Sequence, residues 1–213
     1  DHPADPLSEW PTKSEAAPRA PENGELVVQQ GSTPTQTAKQ SNALFLDQTT
    51  SELFMTTDAG LSWTFVPIPL SGLRFGSYLL TSGEPPLGYW LDQSFGITAD
   101  FSWFIFSMGK EDVSFLTTRD HGQTWDINLV ADNQPWIRYR KAQFFDRGSG
   151  VLVFSVANDV SSQETVYVCT TSDYGVSWHN TPAEIIDQPV QNVSFLSQMR
   201  GFVATREKLY YTR

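Results

Sequence analysis

The chain has 213 residues with 24 acidic and 14 basic side chains, a formal net charge of −10, and 13% aromatic residues. That length suits one sizeable core or three to four units of a repeat. The acidic balance excludes a nucleic-acid partner, which needs a basic stripe, because the densest basic cluster is only Arg138-Tyr139-Arg140-Lys141. No apolar run approaches the roughly 18 residues needed to span a bilayer.

Residues 1–24 are rich in Pro, Ala and Glu, with Pro3, Pro6, Pro11, Pro18 and Pro21, and read as a flexible leader or stalk. Trp10 stands out in it, because a lone Trp in a solvated tail suggests that it packs on something. The start has neither the basic opening nor the apolar middle of a signal peptide. Such a leader is the expected stalk of an exported, surface-tethered protein whose signal has been removed, with a lipid anchor upstream. The expected domain is 25–213.

Strand-like runs follow at 25–29, 43–47, 52–57 and 63–70, then at 75–80, 88–91, 101–107, 113–118 and 125–130. A third unit runs from Arg138 through Phe144-Phe145, 151–156 and 165–170 to Trp178, and a fourth covers 193–196, 201–203 and 209–211. Frequent Phe, Trp, Thr and Val without a sustained 3.6-residue period predict an all-β fold.

Three of these units contain one pattern, Ser/Thr-x-Asp-x-Gly-x-Ser/Thr-Trp: Thr56, Asp58, Gly60, Ser62 and Trp63; Thr118, Asp120, Gly122, Thr124 and Trp125; Thr171, Asp173, Gly175, Ser177 and Trp178. Apolar runs flank each copy, which makes it a hairpin turn. The Asp carboxylate accepts backbone amides a few residues on, the Gly takes a positive φ, and the hydroxyls satisfy remaining turn groups. The Trp should open the outgoing strand, burying its ring against the neighbouring hairpin while its indole N–H finds a partner.

These residues resemble the Asp-box, or bacterial neuraminidase repeat. The resemblance implies a β-propeller of three full four-stranded blades and a partial fourth, in which the box joins the third and fourth strands of a blade on the side away from any active site. It also implies that Asp58, Asp120 and Asp173 are structural. Within such families the chain is similar to exported sialidase-like propellers and to photosystem II assembly and stability factors, and boxes of this kind occur in sortilin-type receptors. The chain stops at Thr212-Arg213, where by comparison with Thr118-Arg119 the Asp of a fourth box should come next. The sequence leaves two readings of that stop: an end ahead of the fourth box, or closure by the N-terminal segment around Trp10.

Candidate chemistry is sparse. The sialidase first arginine lies in a Phe/Tyr-Arg-Ile-Pro segment that is absent here, and Trp136-Ile137-Arg138-Tyr139 is a poor substitute. Catalytic residues are therefore expected to be none, with a sialidase-like or other glycoside hydrolase as the alternative. His2, His121 and His179 show no zinc-like spacing, so neither metal nor cofactor is expected. Cys169 is alone, which excludes an intrachain disulfide, and it reads as a buried apolar thiol. Tyr89, Trp90, Arg138 and Arg140 are the ligand-binding candidates. Period two puts both arginines on one face, where they also read as outward charges on an outer strand. Tyr89 and Trp90, with Trp103, could stack on sugar rings or cap the core. The expected role is an extracytoplasmic, non-catalytic interaction module with a protein or carbohydrate ligand.

Overall fold

A computed structural model of the chain describes residues 24–27, 42–47, 49–73, 94–109, 111–145, 148–158 and 161–212. Residues 1–23, including Trp10, and the expected strands at 75–80 and 88–91 lie outside them. The fold is all-β: four antiparallel sheets follow one another along the chain, and the only α-helical segment among the described residues is the four-residue α1 (Leu70–Leu73).

The first sheet runs in the order β1 (Gly24–Val27), β2 (Ala43–Asp47), β3 (Glu52–Thr56), β4 (Thr64–Val66). The second is β5 (Phe95–Ile97), β6 (Ser102–Phe106), β7 (Val113–Thr118), β8 (Asp126–Ala131). The third contains β9 (Ile137–Phe144), β10 (Gly150–Ala157), β11 (Glu164–Thr171) and β12 (His179–Asn180), with β13 (Glu184–Ile186) also paired to β11. The fourth holds β14 (Asn192–Ser197), β15 (Arg200–Ala204) and β16 (Leu209–Thr212). Each is a meander, the economical way to join antiparallel neighbours by short turns.

Burial along the strands tells where each sheet sits. In β6 and β7 every residue is buried, and in β10 the first six are, so these strands are covered on both faces. In β14 only alternate residues, Val193 and Phe195, are buried, which leaves one face of the last sheet open. Three apolar clusters fill the seams between consecutive sheets: Leu44, Leu53 and Met55 against Phe95, Phe104 and Leu116; Ile105 and Phe115 against Leu152, Phe154 and Cys169; Val153 and Val166 against Val193, Phe195 and Val203.

A glycine faces an aromatic ring across the first two strands of three sheets. The register pairs are Gly96 with Trp103, Gly150 with Phe144, and Gly201 with Phe195. At each, an added Cβ would come within 2.4 to 2.7 Å of that ring, so the ring covers the bare backbone. The turns after Phe145 and Phe195 thus share their glycine-and-ring arrangement. Trp103 belongs to the core, 7% exposed and stacked 5.7 Å from Phe115.

Two differences from the sequence reading have clear causes. The run 63–70 pairs only at Thr64–Val66 before the chain turns into α1, since Pro67 and Pro69 offer no backbone N–H to a ladder. Phe95–Ile97 is a strand that the sequence reading passed over, because Gly96 at its centre resembles a turn until Trp103 covers it.

Candidate functional site

The three motif hairpins have one hydrogen-bond geometry. In the first, the Thr56 hydroxyl donates to Asp58 Oδ1 (2.7 Å) and accepts the Gly60 N–H (2.9 Å), while Ser62 donates its N–H to Oδ1 (2.9 Å) and its hydroxyl to Oδ2 (2.6 Å). The Thr118, Asp120, Gly122, Thr124 set repeats this at 2.8, 2.8, 2.9 and 2.5 Å. The Thr171, Asp173, Gly175, Ser177 set does so at 2.7, 3.0, 2.9 and 2.6 Å. Two successive residues in each turn have positive φ: Ala59 and Gly60, His121 and Gly122, Tyr174 and Gly175. Two successive positive φ values are what a type I′ turn requires, here set within a seven-residue connection between strands. The first member of each pair escaped sequence reasoning, since Ala, His and Tyr have nothing in common that marks the left-handed region.

These bonds hold the carboxylates charged. The Ser62 hydroxyl and amide and the Thr56 hydroxyl lower Asp58 to about 2, and the Thr124 hydroxyl and amide do the same for Asp120. For Asp173, burial pushes upward and is outweighed by Ser177 and Thr171, so its pKa also falls below the ordinary value of 3.8. A depressed carboxylate contributes stability that is present above its unfolded pKa and lost as pH falls through the folded one. The thermal midpoint is therefore expected to hold above pH 4 and to drop between pH 4 and pH 2, with a shallower drop in Asp120→Asn. Scanning calorimetry across that range checks it, and an Asp120→Asn drop as steep as the parent's would contradict it.

Consecutive hairpins touch through fixed motif positions. His121 Nδ1 lies 3.0 Å from Thr57 Oγ1, and the Arg119 guanidinium sits 5.6 Å from the centroid of the Tyr174 ring. In both cases the second residue of one copy meets the fourth residue of the next.

The motif tryptophans pack as aromatic partners, though each lies one residue ahead of its outgoing strand. Trp63 is edge-on to Phe45 at 5.6 Å, Trp125 lies 6.0 Å from Phe104, and Trp178 lies edge-on to Phe115 at 5.0 Å. The expectation of a partner for the indole N–H fails at Trp178, whose Nε1 is buried without a hydrogen bond among the described residues. Its ring is placed by Phe115 and Phe144.

The arginines separate. The outward reading of Arg140 is corrected: it is 4% exposed, its Nε donates to Ser94 Oγ (3.1 Å), and its Nη2 donates to the Leu73 carbonyl (2.9 Å). Both faces of β9 are covered. Arg140 points to the second sheet, while Lys141 and Gln143 reach β14, donating to the Val193 carbonyl (2.8 Å) and the Phe195 carbonyl (2.7 Å). Arg138 sits where the β9–β10 register shifts by one residue, at the end of the sheet opposite the motif hairpin. It is part-exposed, with Nη1 3.4 Å from Glu164 Oε1. Glu164 is 1% exposed; its Oε2 accepts the Ser155 hydroxyl (2.7 Å) and the Val190 amide (3.0 Å), while Oε1 has the charge of Arg138 nearby and no hydrogen bond among the described residues. Two residues before Arg138, Trp136 is 52% exposed at φ 65°, an uncommon conformation for a bulky aromatic. Sequence reasoning missed Glu164, whose partner lies across two strands. Tyr89 and Trp90 lie outside the described residues.

Other reactive groups are bound into the fold. Burial pushes the Cys169 thiol up to about 12. Asp112, buried, accepts from Ser107, Ser114 and the amides of Met108 and Gly109. Among the described residues no group of three or more His, Cys, Asp or Glu is placed to hold a metal ion, and no helix is long and apolar enough to cross a membrane.

No family model matches the chain, and no curated protein matches it. Among solved structures it is similar to a point mutant of the NanB sialidase from Streptococcus pneumoniae, with 16% identity, a TM-score of 0.39, and coverage of 74% of this chain and 24% of that one. The chain spans about a quarter of the length of that protein.

Proposed function

We propose that the protein is a non-catalytic, extracytoplasmic binding module built on Asp-box propeller blades, and that it recognises a carboxylate-bearing carbohydrate at the end of the sheets away from the boxes. In this reading the fifteen motif residues are structural, residues 1–24 form the leader, and the ligand meets Trp136 and Arg138. The observation that carries the reading is Trp136, a half-exposed aromatic held at positive φ two residues before a part-exposed arginine. Strained backbone around an exposed ring is characteristic of ligand contacts. An indole face stacks on a sugar ring, and a guanidinium takes a carboxylate in two parallel hydrogen bonds.

Titration calorimetry with sialyllactose and with lactose tests this. Binding of the first only is expected, weakened by about tenfold or more in Trp136→Ala, which corresponds to about 1.4 kcal/mol. Equal affinity for both sugars, or no effect of Trp136→Ala, would refute the site. The alternative is a glycoside hydrolase, favoured by one observation: the buried Glu164 keeps an oxygen beside Arg138 without a hydrogen bond among the described residues. Turnover of a fluorogenic sialoside, abolished by Glu164→Gln, would establish that alternative instead.

A further inference from the structure

The second and third sheets close the turn between their second and third strands in the same way, with one difference. Thr118 pairs with Ser102 and Thr171 with Gly150, so Ser107 and Ser155, each five residues further along, hold equivalent positions. Each donates its hydroxyl to a buried acid where the third strand begins, Ser107 to Asp112 and Ser155 to Glu164, both at 2.7 Å. Asp112 commits both oxygens to its own turn: Oδ1 also accepts the Gly109 amide, and Oδ2 accepts the Met108 amide and the Ser114 hydroxyl. Glu164 commits only one. Its Oε2 takes Ser155 and the Val190 amide, while the buried Oε1, without a hydrogen bond among the described residues, faces Nη1 of Arg138 at 3.4 Å. A buried oxygen left in that state lowers stability, and closing the turn does not require it, as Asp112 demonstrates.

Arg138 is aimed by the backbone as well. Ile137 pairs with Val156 and Tyr139 with Ser155, which makes Arg138 the extra residue of a bulge, a device that redirects a side chain. We propose that Glu164 is a positioning residue for the ligand site argued above, on which this inference rests. It restrains the part-exposed Arg138 through Nη1 and leaves Nε and Nη2, an edge that grips a carboxylate in two parallel bonds, for the ligand. The Glu164 carboxylate can act as a fixed stop because Oε2 is anchored from two elements, β10 through Ser155 and the connection into β14 through Val190. An unrestrained arginine gives up rotamer freedom when it binds. One already restrained gives up less, which raises affinity without any added contact to the ligand.

The test uses the whole 213-residue chain, isotope-labelled for NMR. The Nε–H signal of Arg138, identified by its loss in Arg138→Lys, reports the fast motion of the guanidinium through its proton–nitrogen NOE. A rigid value is expected in the parent and in Ser107→Ala, the equivalent deletion one sheet away. In Glu164→Gln the value should approach that of an exposed arginine such as Arg200, with a smaller change in Ser155→Ala. Glu164→Gln also removes a charge that repels a ligand carboxylate, so binding is read in Ser155→Ala, which keeps that charge and loosens only its anchor. Titration calorimetry with sialyllactose should show about threefold weaker affinity there and no change in Ser107→Ala. The proposal is overturned by an Arg138 as rigid in Glu164→Gln and Ser155→Ala as in the parent, or by equal loosening in Ser107→Ala. A mobile Arg138 with unchanged affinity in Ser155→Ala would overturn it too. Sialyllactose failing to bind the parent would refute the binding role, whereas the NOE comparison, which needs no ligand, decides separately whether Glu164 holds Arg138.

Discussion

Gly175→Ala is expected to lower the thermal midpoint by on the order of 10 °C, whereas the same change at Gly60 costs about half of that. Both glycines have φ near +85°, where an L side chain is strained by roughly 1–2 kcal/mol. They differ in their surroundings. A Cβ on Gly175 would lie 2.6 Å from the ring of Phe115, which is fully buried, so the ring or the hairpin must move at a further cost of roughly 1–3 kcal/mol. A Cβ on Gly60 would find its nearest neighbour, the Trp63 ring, at an ordinary 3.8 Å. At roughly 2–4 °C per kcal/mol for a domain of this size, the two variants should separate clearly in a circular dichroism melt. Equal shifts would mean that the left-handed backbone alone sets the cost and that the packing of the third hairpin on β7 contributes nothing.

The second large effect is expected at Arg140→Leu. Leucine keeps much of the buried volume but leaves the Leu73 carbonyl and the Ser94 hydroxyl without the donors now at 2.9 and 3.1 Å. Each hydrogen bond to the charged guanidinium is worth about 1.5–3 kcal/mol, so a loss of about 3 kcal/mol or more is expected, again near 10 °C in the midpoint. Arg140→Lys should recover only part of it, because a single ammonium cannot present the planar fork that meets two acceptors. A leucine variant melting within a degree of the parent would show that β9 holds the end of α1 and Ser94 by apolar packing alone.

The sequence makes the sheets readable wherever a local rule sets them. Alternation places Leu44 and Leu46 inward, and the motif sets the turns at Asp58, Asp120 and Asp173, because these partners lie within a few residues of each other. What stays hidden depends on contacts made far along the chain. Arg140 looks like an outward charge until Ser94, 46 residues away, and Leu73, 67 away, cover it. Phe95–Ile97 is not picked out as a strand, since its central Gly96 gives no β signal until Trp103 lies over it. Trp178 is expected to satisfy its indole N–H, yet the seam it enters is lined by rings, and burial of apolar area outweighs one missing hydrogen bond there. Of the proposed site, Arg138 alone is a binding candidate in the sequence; Trp136 is passed over, because its exposure and positive φ come only with the fold, as does the buried carboxylate beside Arg138.

The contacts from Thr57 to His121 and from Arg119 to Tyr174 make the hairpins non-interchangeable. The second and third copies carry, at the fourth position, a side chain matched to the second position of the copy before, so the eight residues of the middle copy hold two halves of different handshakes. Grafting the third hairpin in place of the second would set a tyrosine ring against Thr57, where an imidazole now meets a hydroxyl, and would put Ser172 in place of Arg119 opposite Tyr174. A conservative exchange would move the second position of one copy together with the fourth of the next, leaving the Thr, Asp, Gly, Ser/Thr and Trp frame untouched. The repeat is therefore uniform in the residues that shape each turn and individual in those that order the turns into a row.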